Sequence, residues 1–456
     1  MDYNEKELEI LRKAVDIAEK KQGFRVANSP EVKKIIKIVE KFIKQKELIC
    51  YGGTAINNIL PQEDQFYDKS IEIPDYDFFS TKALEHAKEL ADIYAANGYS
   101  DVEAKAGIHK GTYKVFVNYI PVADITHLDK SIFSAVKKEA IKVGGILYTP
   151  PDYLRMSAFL ELSRPQGDVS RWEKVLKRLQ LLNNNFPVKG LHCNNKLFQR
   201  SMEDECLEGD IYNIVKNALI DSDVVFFGGF ANAQYGKYFP KSKRKIVKKV
   251  PDFDVLSNDP LKTAAKVEEN LKKNKVSNIK IIKHPHVGEI INEHYEVRLN
   301  DETLVFIYKP LGCHSYNILK SKGRKIKIAT IDTMLSYYLA FIYTNREYYD
   351  KQRISCMSQY LYEIQEKNKL NQKGLLRRFS LNCYGTQPTL ETMRDEKSNK
   401  FRELKEKKGT KEYDEWFLKY TPDVKTKTTT KTKTKKQKED KKRKNRTIKK
   451  KKKGKN

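Results

Sequence analysis

LICYGGTAINNILP at residues 48–61, with PDYDFFS at 74–80 and VADI at 122–125, is the stretch on which the reading of this chain turns. A short apolar run at 48–51 meets two glycines, and a helix-forming segment at 54–60 then stops at Pro61, so the order is strand, sharp turn, helix. Further strands are expected over 73–79 and within 114–125, with a helix over 82–96 between them.

The same order returns later as VVFFGGFANAQYGKYF at 224–239, PDFDVLS at 251–257 and YKPLGC at 308–313. Gly53 to Gly229 is a shift of 176 residues, Asp75 to Asp252 of 177, and Asp152 to Asp332 of 180. Matched landmarks in one order point to an internal duplication. Setting Tyr119-Ile120-Pro121 against Tyr308-Lys309-Pro310 places Cys313 opposite Asp124, with an insertion of about a dozen residues before the last strand of the second copy. On that alignment the second copy lacks its third carboxylate.

Residues two apart on a strand share a face, so Asp75 and Asp77 are expected to present their carboxylates together, and Asp124 joins them if its strand is a neighbour. Three hard oxygen donors suit Mg²⁺ rather than a soft metal. Two ions held in this way serve in-line displacement at a phosphorus, which is nucleotidyl transfer. Gly52 and Gly53 let the backbone approach a triphosphate, the following helix offers free N–H groups, and Thr54 adds a hydroxyl. Singly, a DxD or a Gly-Gly pair is more often a loop or a turn; the ordered set is far more specific. Asp124 lies between Val122-Ala123 and Ile125, where an unpaired buried carboxylate costs several kcal/mol. A metal removes that cost. The second copy keeps Asp252 and Asp254 but not the third acid, so it is expected to be structural and without catalysis.

The 456 residues leave room for two or three domains. Lys and Arg number 88 against 60 Asp and Glu, a net charge of +28 that favours a polyanionic partner. Residues 421–456 hold 18 basic and 3 acidic residues and almost nothing apolar, so this tail is expected to be disordered, as a tether for RNA phosphates or as a solubilising or targeting run. A basic cluster at 241–249 is expected on a surface loop. Cys50, Cys193, Cys206, Cys313, Cys356 and Cys383 form no CxxC pair, which argues against a zinc site or a disulfide framework and for a reducing compartment. His284 and His286 are expected in a loop without a metal. No apolar run approaches a membrane span, and no secretory leader is expected from the charged, helix-forming amino terminus.

These motifs, together with VADITH and LELSRPQGDVSRWEKV, resemble the DNA polymerase β-like nucleotidyltransferase superfamily, and within it the poly(A) polymerase catalytic subunits of poxviruses and mimivirus-type giant viruses. The resemblance implies an α+β fold of two nucleotidyltransferase-like units, the second degenerate. It implies Asp75, Asp77 and Asp124 as metal carboxylates for Mg²⁺ or Mn²⁺, and Gly52 and Gly53 as the phosphate turn. Arg171 and Lys174 lie where the superfamily places groups that reach the triphosphate, with a solvent-facing helix pair as the plainer alternative. ATP is the implied donor and an RNA 3′ hydroxyl the acceptor, in the host cytoplasm at the viral factory or within the virion. A short amino-terminal region departs from the poxvirus pattern, which leaves open both a separate processivity subunit and a self-pairing enzyme. A different nucleotidyltransferase and a non-enzymatic RNA-binding scaffold are the competing readings.

The domains are expected at 1–190, 191–420 and 421–456. The first 47 residues read as an amino-terminal helical cover, and 152–162, 168–182, 201–220, 331–343 and 352–368 as helices. Residues 183–195 read as a linker and 371–420 as mixed helix and loop.

Overall fold

The computed structural model describes residues 2–68, 70–190, 193, 208–239 and 252–423. The basic cluster at 241–249, all but the first residues of the expected tail, Cys206 and the start of the helix expected from 201 lie outside the described residues.

In the first unit, α1 (Tyr3–Ala27) and α2 (Pro30–Lys46) lead into β1 (Ile49–Cys50), α3 (Gly52–Ile59), β2 (Tyr76–Ser80) and α4 (Ala83–Ala96). Then come β3 (Val102–Ala106), β4 (Thr112–Val117), β5 (Ile120–His127), α5 (Lys130–Lys138), β6 (Ile141–Val143), β7 (Ile146–Tyr148), α6 (Pro151–Leu162) and α7 (Trp172–Asn185). The second unit begins with α8 (Glu208–Ile220), β8 (Val225–Phe226), α9 (Gly229–Tyr235), β9 (Phe253–Leu256) and α10 (Pro260–Lys273). It continues through β10 (Ile279–His284), β11 (His294–Leu299), β12 (Glu302–Tyr308), β13 (His314–Ser321), β14 (Arg324–Ala329), α11 (Ile331–Ile342) and α12 (Lys351–Lys367). The chain closes with β15 (Cys383–Tyr384), α13 (Leu390–Leu404), α14 (Lys411–Phe417) and β16 (Lys419–Tyr420).

The duplication is visible in the sheets. One runs β16-β3-β4-β5-β2-β1-β7-β6 and the other β10-β11-β12-β9-β8-β14-β13-β15, so seven strands recur in the same order. Alternation along the strands explains how each sheet is covered. In the first, Phe78, Ala104, Val115, Ala123 and Ile125 face a core shared with α2 and α4, while Ile49 and Phe79 face the other way, into the core that holds α6 and α11. That second core joins the two units, with Tyr153 of α6 packed edge-on to both Phe79 and Tyr343. Tyr153 is buried in that core.

Several expectations are corrected here. The amino-terminal cover is α2 alone, which buries Val32, Ile35, Val39, Phe42 and Ile43. No residue of α1 is buried; its apolar side chains, including Tyr3, Leu8, Ile10, Leu11 and Phe24, are spread around the helix and stay exposed. Lys419 and Tyr420 return to the first unit, where β16 pairs with β3 and adds a strand to the first sheet. A disulfide framework was not expected, yet Cys193 is paired with Cys356 and Cys313 with Cys383, across sequence separations of 163 and 70 that no local spacing reveals. Cys50 is free and buried. His284 ends a strand and bonds Glu296 at 2.9 Å, so it is not in a loop.

Candidate active site

The glycine turn is built by contact with its neighbours. Tyr51 is extended, Gly52 has φ +72°, and α3 starts there. A Cβ on Gly52 would stand 2.9 Å from Asp77 Oδ2, and one on Gly53 would stand 2.5 Å from Tyr67 Oη and 2.8 Å from Arg178 Nη1. Only residues without side chains let the backbone come so close. The Tyr51 N–H donates to the Asp77 carbonyl at 2.9 Å and fixes the turn against β2.

The helix behind the turn organises the loop that carries the first acid. Thr54 is buried and its hydroxyl donates to the Asp75 carbonyl at 2.7 Å, so Thr54 holds the Asp75 backbone instead of pointing a hydroxyl at a ligand. Asn57 Oδ1 accepts from the N–H groups of Phe66 and Tyr67, both at 2.8 Å. The strand expected from residue 73 begins at Tyr76, which leaves Asp75 on the loop at its mouth and Asp77 within it.

Parallel pairing of β2 and β5 sets Asp77 directly beside Asp124. Antiparallel pairing of β5 and β4 sets Lys114 on the far side of Asp124, and the Lys114 ammonium bonds the Asp124 carboxylate. Burial, then the charges of Asp75 and Asp124, push the Asp77 carboxyl up to about 7, against the opposing pull of Lys114 and Arg171. Asp75 is raised as well, by desolvation first and Asp124 second. The three acids thus stand close enough to repel one another. They do not enclose a single point: among the described residues no three acid, thiol or imidazole groups are placed to ligate one ion, and Lys114 provides the counter-charge at Asp124. The donor set fits a hard divalent cation, since all three groups supply oxygen and the cluster carries more negative charge than one ammonium balances.

Arg171 and Lys174 fall at the start of α7, where Arg171 Nε lies 3.3 Å from Glu161 and its charge lowers Asp77, while Lys174 is exposed. The group set against the glycine turn is Arg178, which the sequence reading missed. Arg178 donates to Tyr67 Oη at 2.6 Å and lies over the rings of Phe66 and Tyr67, against the glycine turn. Residues 171, 174 and 178 fall on one helical face, and that spacing was the available signal.

A cavity of about 650 Å³ lies behind the Asp75 loop, among Glu40, Thr54, Asn57, Asp75 and Tyr148. In the second unit the space beside Gly229, Asp252 and Asp254 measures about 20 Å³, with Tyr338, Phe341 and Tyr349 around it, which is room for a water and not for a nucleotide.

Strand register also corrects the alignment. Asp254 pairs with Phe306 as Asp77 pairs with Asp124, so the residue at the third-acid position is Phe306 and not Cys313. Cys313 lies beyond that strand. The shift from Asp124 to Phe306 is 182, only a few residues more than at the other landmarks, and the dozen-residue insertion disappears. Glu296 stands where the first unit has Lys114. Phe306 packs among Tyr348, His284, His294 and Tyr308, so an aromatic cluster occupies the place of the acid.

Residues 37–168 match the poly(A) polymerase catalytic subunit family. The putative poly(A) polymerase catalytic subunit of African swine fever virus is 34% identical over 170 residues, which are 36% of this chain and 35% of that protein. The one from Acanthamoeba polyphaga mimivirus is 30% identical over 163 residues, 35% of this chain and 27% of the relative. The match thus spans about a third of the length of these curated relatives. The crystal structure of the Megavirus polyadenylate synthase superposes with a TM-score of 0.76 at 19% identity, over 92% of this chain and 86% of that one. The chain therefore has the two-unit nucleotidyltransferase-like fold of that synthase, and its residues 37–168, which contain Asp75, Asp77 and Asp124, match the poly(A) polymerase catalytic subunit family.

Proposed function

We propose that this chain is a template-independent poly(A) polymerase that adds AMP from ATP to the 3′ hydroxyl of viral mRNA. The observation that carries the reading is the pairing of Asp77 with Asp124, with Asp75 at the mouth of the same strand, inside the segment that matches the family.

Asp75, Asp77 and Asp124 would hold a pair of Mg²⁺ or Mn²⁺ ions, which when bound supply stabilisation of the entering and leaving oxygens. The protein's own groups do the positioning. The backbone at Gly52 and Gly53 and the first turn of α3 offer N–H groups to the triphosphate, helped by the helix dipole. Arg178, held by Tyr67 beside that turn, adds a fixed positive charge at the pyrophosphate end. Lys114 keeps Asp124 charge-balanced while the site is free of substrate. The second unit carries no chemistry in this reading; it packs α11 on α6 and supports the wall facing the carboxylates.

Primer extension with each of the four NTPs in turn is the test. ATP with Mg²⁺ and a labelled RNA primer should give long products, and the other nucleotides few or none. Single additions with every substrate would assign a different nucleotidyltransferase; no extension at all would leave an RNA-binding scaffold.

A further inference from the structure

Four strand pairings place a row of charges across one face of the first sheet. Asp77 pairs with Asp124, Asp124 with Lys114, Lys114 with Lys105, and Lys105 with Lys419. Directly paired residues point to the same side of a sheet. The neighbours confirm the side. Ala104, Val115 and Leu418 turn into the core shared with α4, and Tyr420 reaches Asp92 of α4, so Lys105, Lys114 and Lys419 face the other way, with the carboxylates. At the usual inter-strand spacing the three lysines stand about 5, 10 and 14 Å from Asp124. Lys105 is half exposed, lies 4.2 Å over the Phe116 ring and 3.5 Å from Glu103, and Lys419 is exposed.

We propose that this row is the track along which the backbone of the acceptor RNA strand reaches the carboxylates, with Lys419 and Lys105 as phosphate contacts and Phe116 as an adjacent stacking surface. The inference rests on the proposed function and adds a direction to it. In an in-line displacement the attacking oxygen and the leaving oxygen lie on opposite sides of the phosphorus. The glycine turn and Arg178 stand on the β1 side of Asp77, which puts the leaving pyrophosphate there. The attacking 3′ hydroxyl must then arrive over β4 and β3, where the lysines are. The sequence adds to the case, because the lysine-rich residues 421–456 follow directly on β16. That run of charge and the lysine row attract the same polyanion. Aromatic and basic groups side by side are what single strands select.

The test uses the full chain carrying Lys105→Ala with Lys419→Ala, compared with Lys272→Ala with Lys273→Ala, which removes the same charge from α10. A fluorescein-labelled single-stranded RNA primer is titrated by anisotropy over a range of salt, and KM is measured separately for primer and for ATP. The row variant should raise the primer KM about tenfold and flatten the plot of log affinity against log salt by about 1.4, two contacts at roughly 0.7 each. ATP KM and melting temperature should stay at wild-type values, the α10 variant should change nothing, and Lys105→Arg with Lys419→Arg should retain primer binding. An unchanged primer KM and salt slope overturns the track, as does an equal loss in the α10 variant. Equal binding of poly-glutamate through the same two lysines also overturns it, since the surface would then be a general acidic-ligand site. If the wild type extends no primer, the proposed function fails, while the anisotropy slopes still decide the row.

Discussion

The two sheets share seven strands in one order and differ in what lies between their second and third matched strands. In the first, Asp77 and Asp124 sit side by side with Lys114 beyond them; in the second, Asp254 meets Phe306, with Glu296 beyond. The acid-to-aromatic exchange and the lysine-to-glutamate exchange occur at paired positions. Once the third acid is gone, a positive neighbour has nothing to balance, and the space can be packed. Burying rings stabilises a core at about 25 cal/mol per Å² of apolar surface, whereas a cluster of acids works against folding. One copy therefore keeps a cluster of acids at a cost in stability while the other is packed with rings.

The most severe way to break this comparison is to remove an acid from each unit. Asp124→Ala, or Asp77→Ala, should lower primer extension by about a thousandfold, the scale of losing a central electrostatic group. Asp254→Ala should leave extension within about twofold, the order expected of a residue with no part in the reaction. A large loss in the second unit would mean that it takes part in catalysis.

Rebuilding the missing acid is the converse experiment. Phe306→Asp should not confer activity on a chain that also carries Asp124→Ala, and should cost about 3–5 kcal/mol in urea denaturation, as for removal of a buried aromatic ring. A stable, metal-binding variant would show that only the acid was lost from the second unit.

Arg178→Ala should raise the KM for ATP about tenfold, the cost of one charge-assisted contact, and leave the KM for primer unchanged. Arg178→Lys should not restore it, because an ammonium does not lie flat on the Phe66 and Tyr67 rings while bonding Tyr67.

A smaller effect follows from Asp77, whose carboxyl is moved from 3.8 to about 7. The folded state then binds more protons than the unfolded one between those values, so metal-free stability should decline as pH rises from about 4 to about 7. Asp77→Asn should flatten melting temperatures measured in chelator across this range, and Asp254→Asn should not.

The smallest effect joins the units. His127 bonds Glu289 at 3.0 Å, and that hydrogen bond raises the imidazole. Its contribution should be fully present below pH 6.5 and lost as pH rises through the raised folded value, and Glu289→Gln should remove about 0.5 kcal/mol at pH 6, as for an exposed pair.

Much of this was legible in the sequence because it is local. The strand, glycine turn and helix at 48–60 and the order of acids need only periodicity and turn chemistry, and the helices from Pro151 and Ile331 follow the expected bounds within a residue. What failed was long-range. Tyr308-Lys309-Pro310 looks like Tyr119-Ile120-Pro121, but Tyr119 lies in the hairpin before β5 and Tyr308 ends β12, so a short likeness set the wrong register. Hydrogen-bonded pairing, not motif similarity, identifies Phe306. The cysteine pairs and the lysine row depend likewise on which distant segments meet.

The pairing of β16 with β3 ties the order of synthesis to the finished first sheet. Residues 419 and 420 supply the strand that covers an edge laid down more than 300 residues earlier. As the chain leaves the ribosome, that edge stays open until residues 419 and 420 have emerged, with N–H and C=O groups free to pair with another chain. A truncation just short of Lys419 would keep every acid and the whole glycine turn, yet leave a sheet prone to join its neighbours edge to edge.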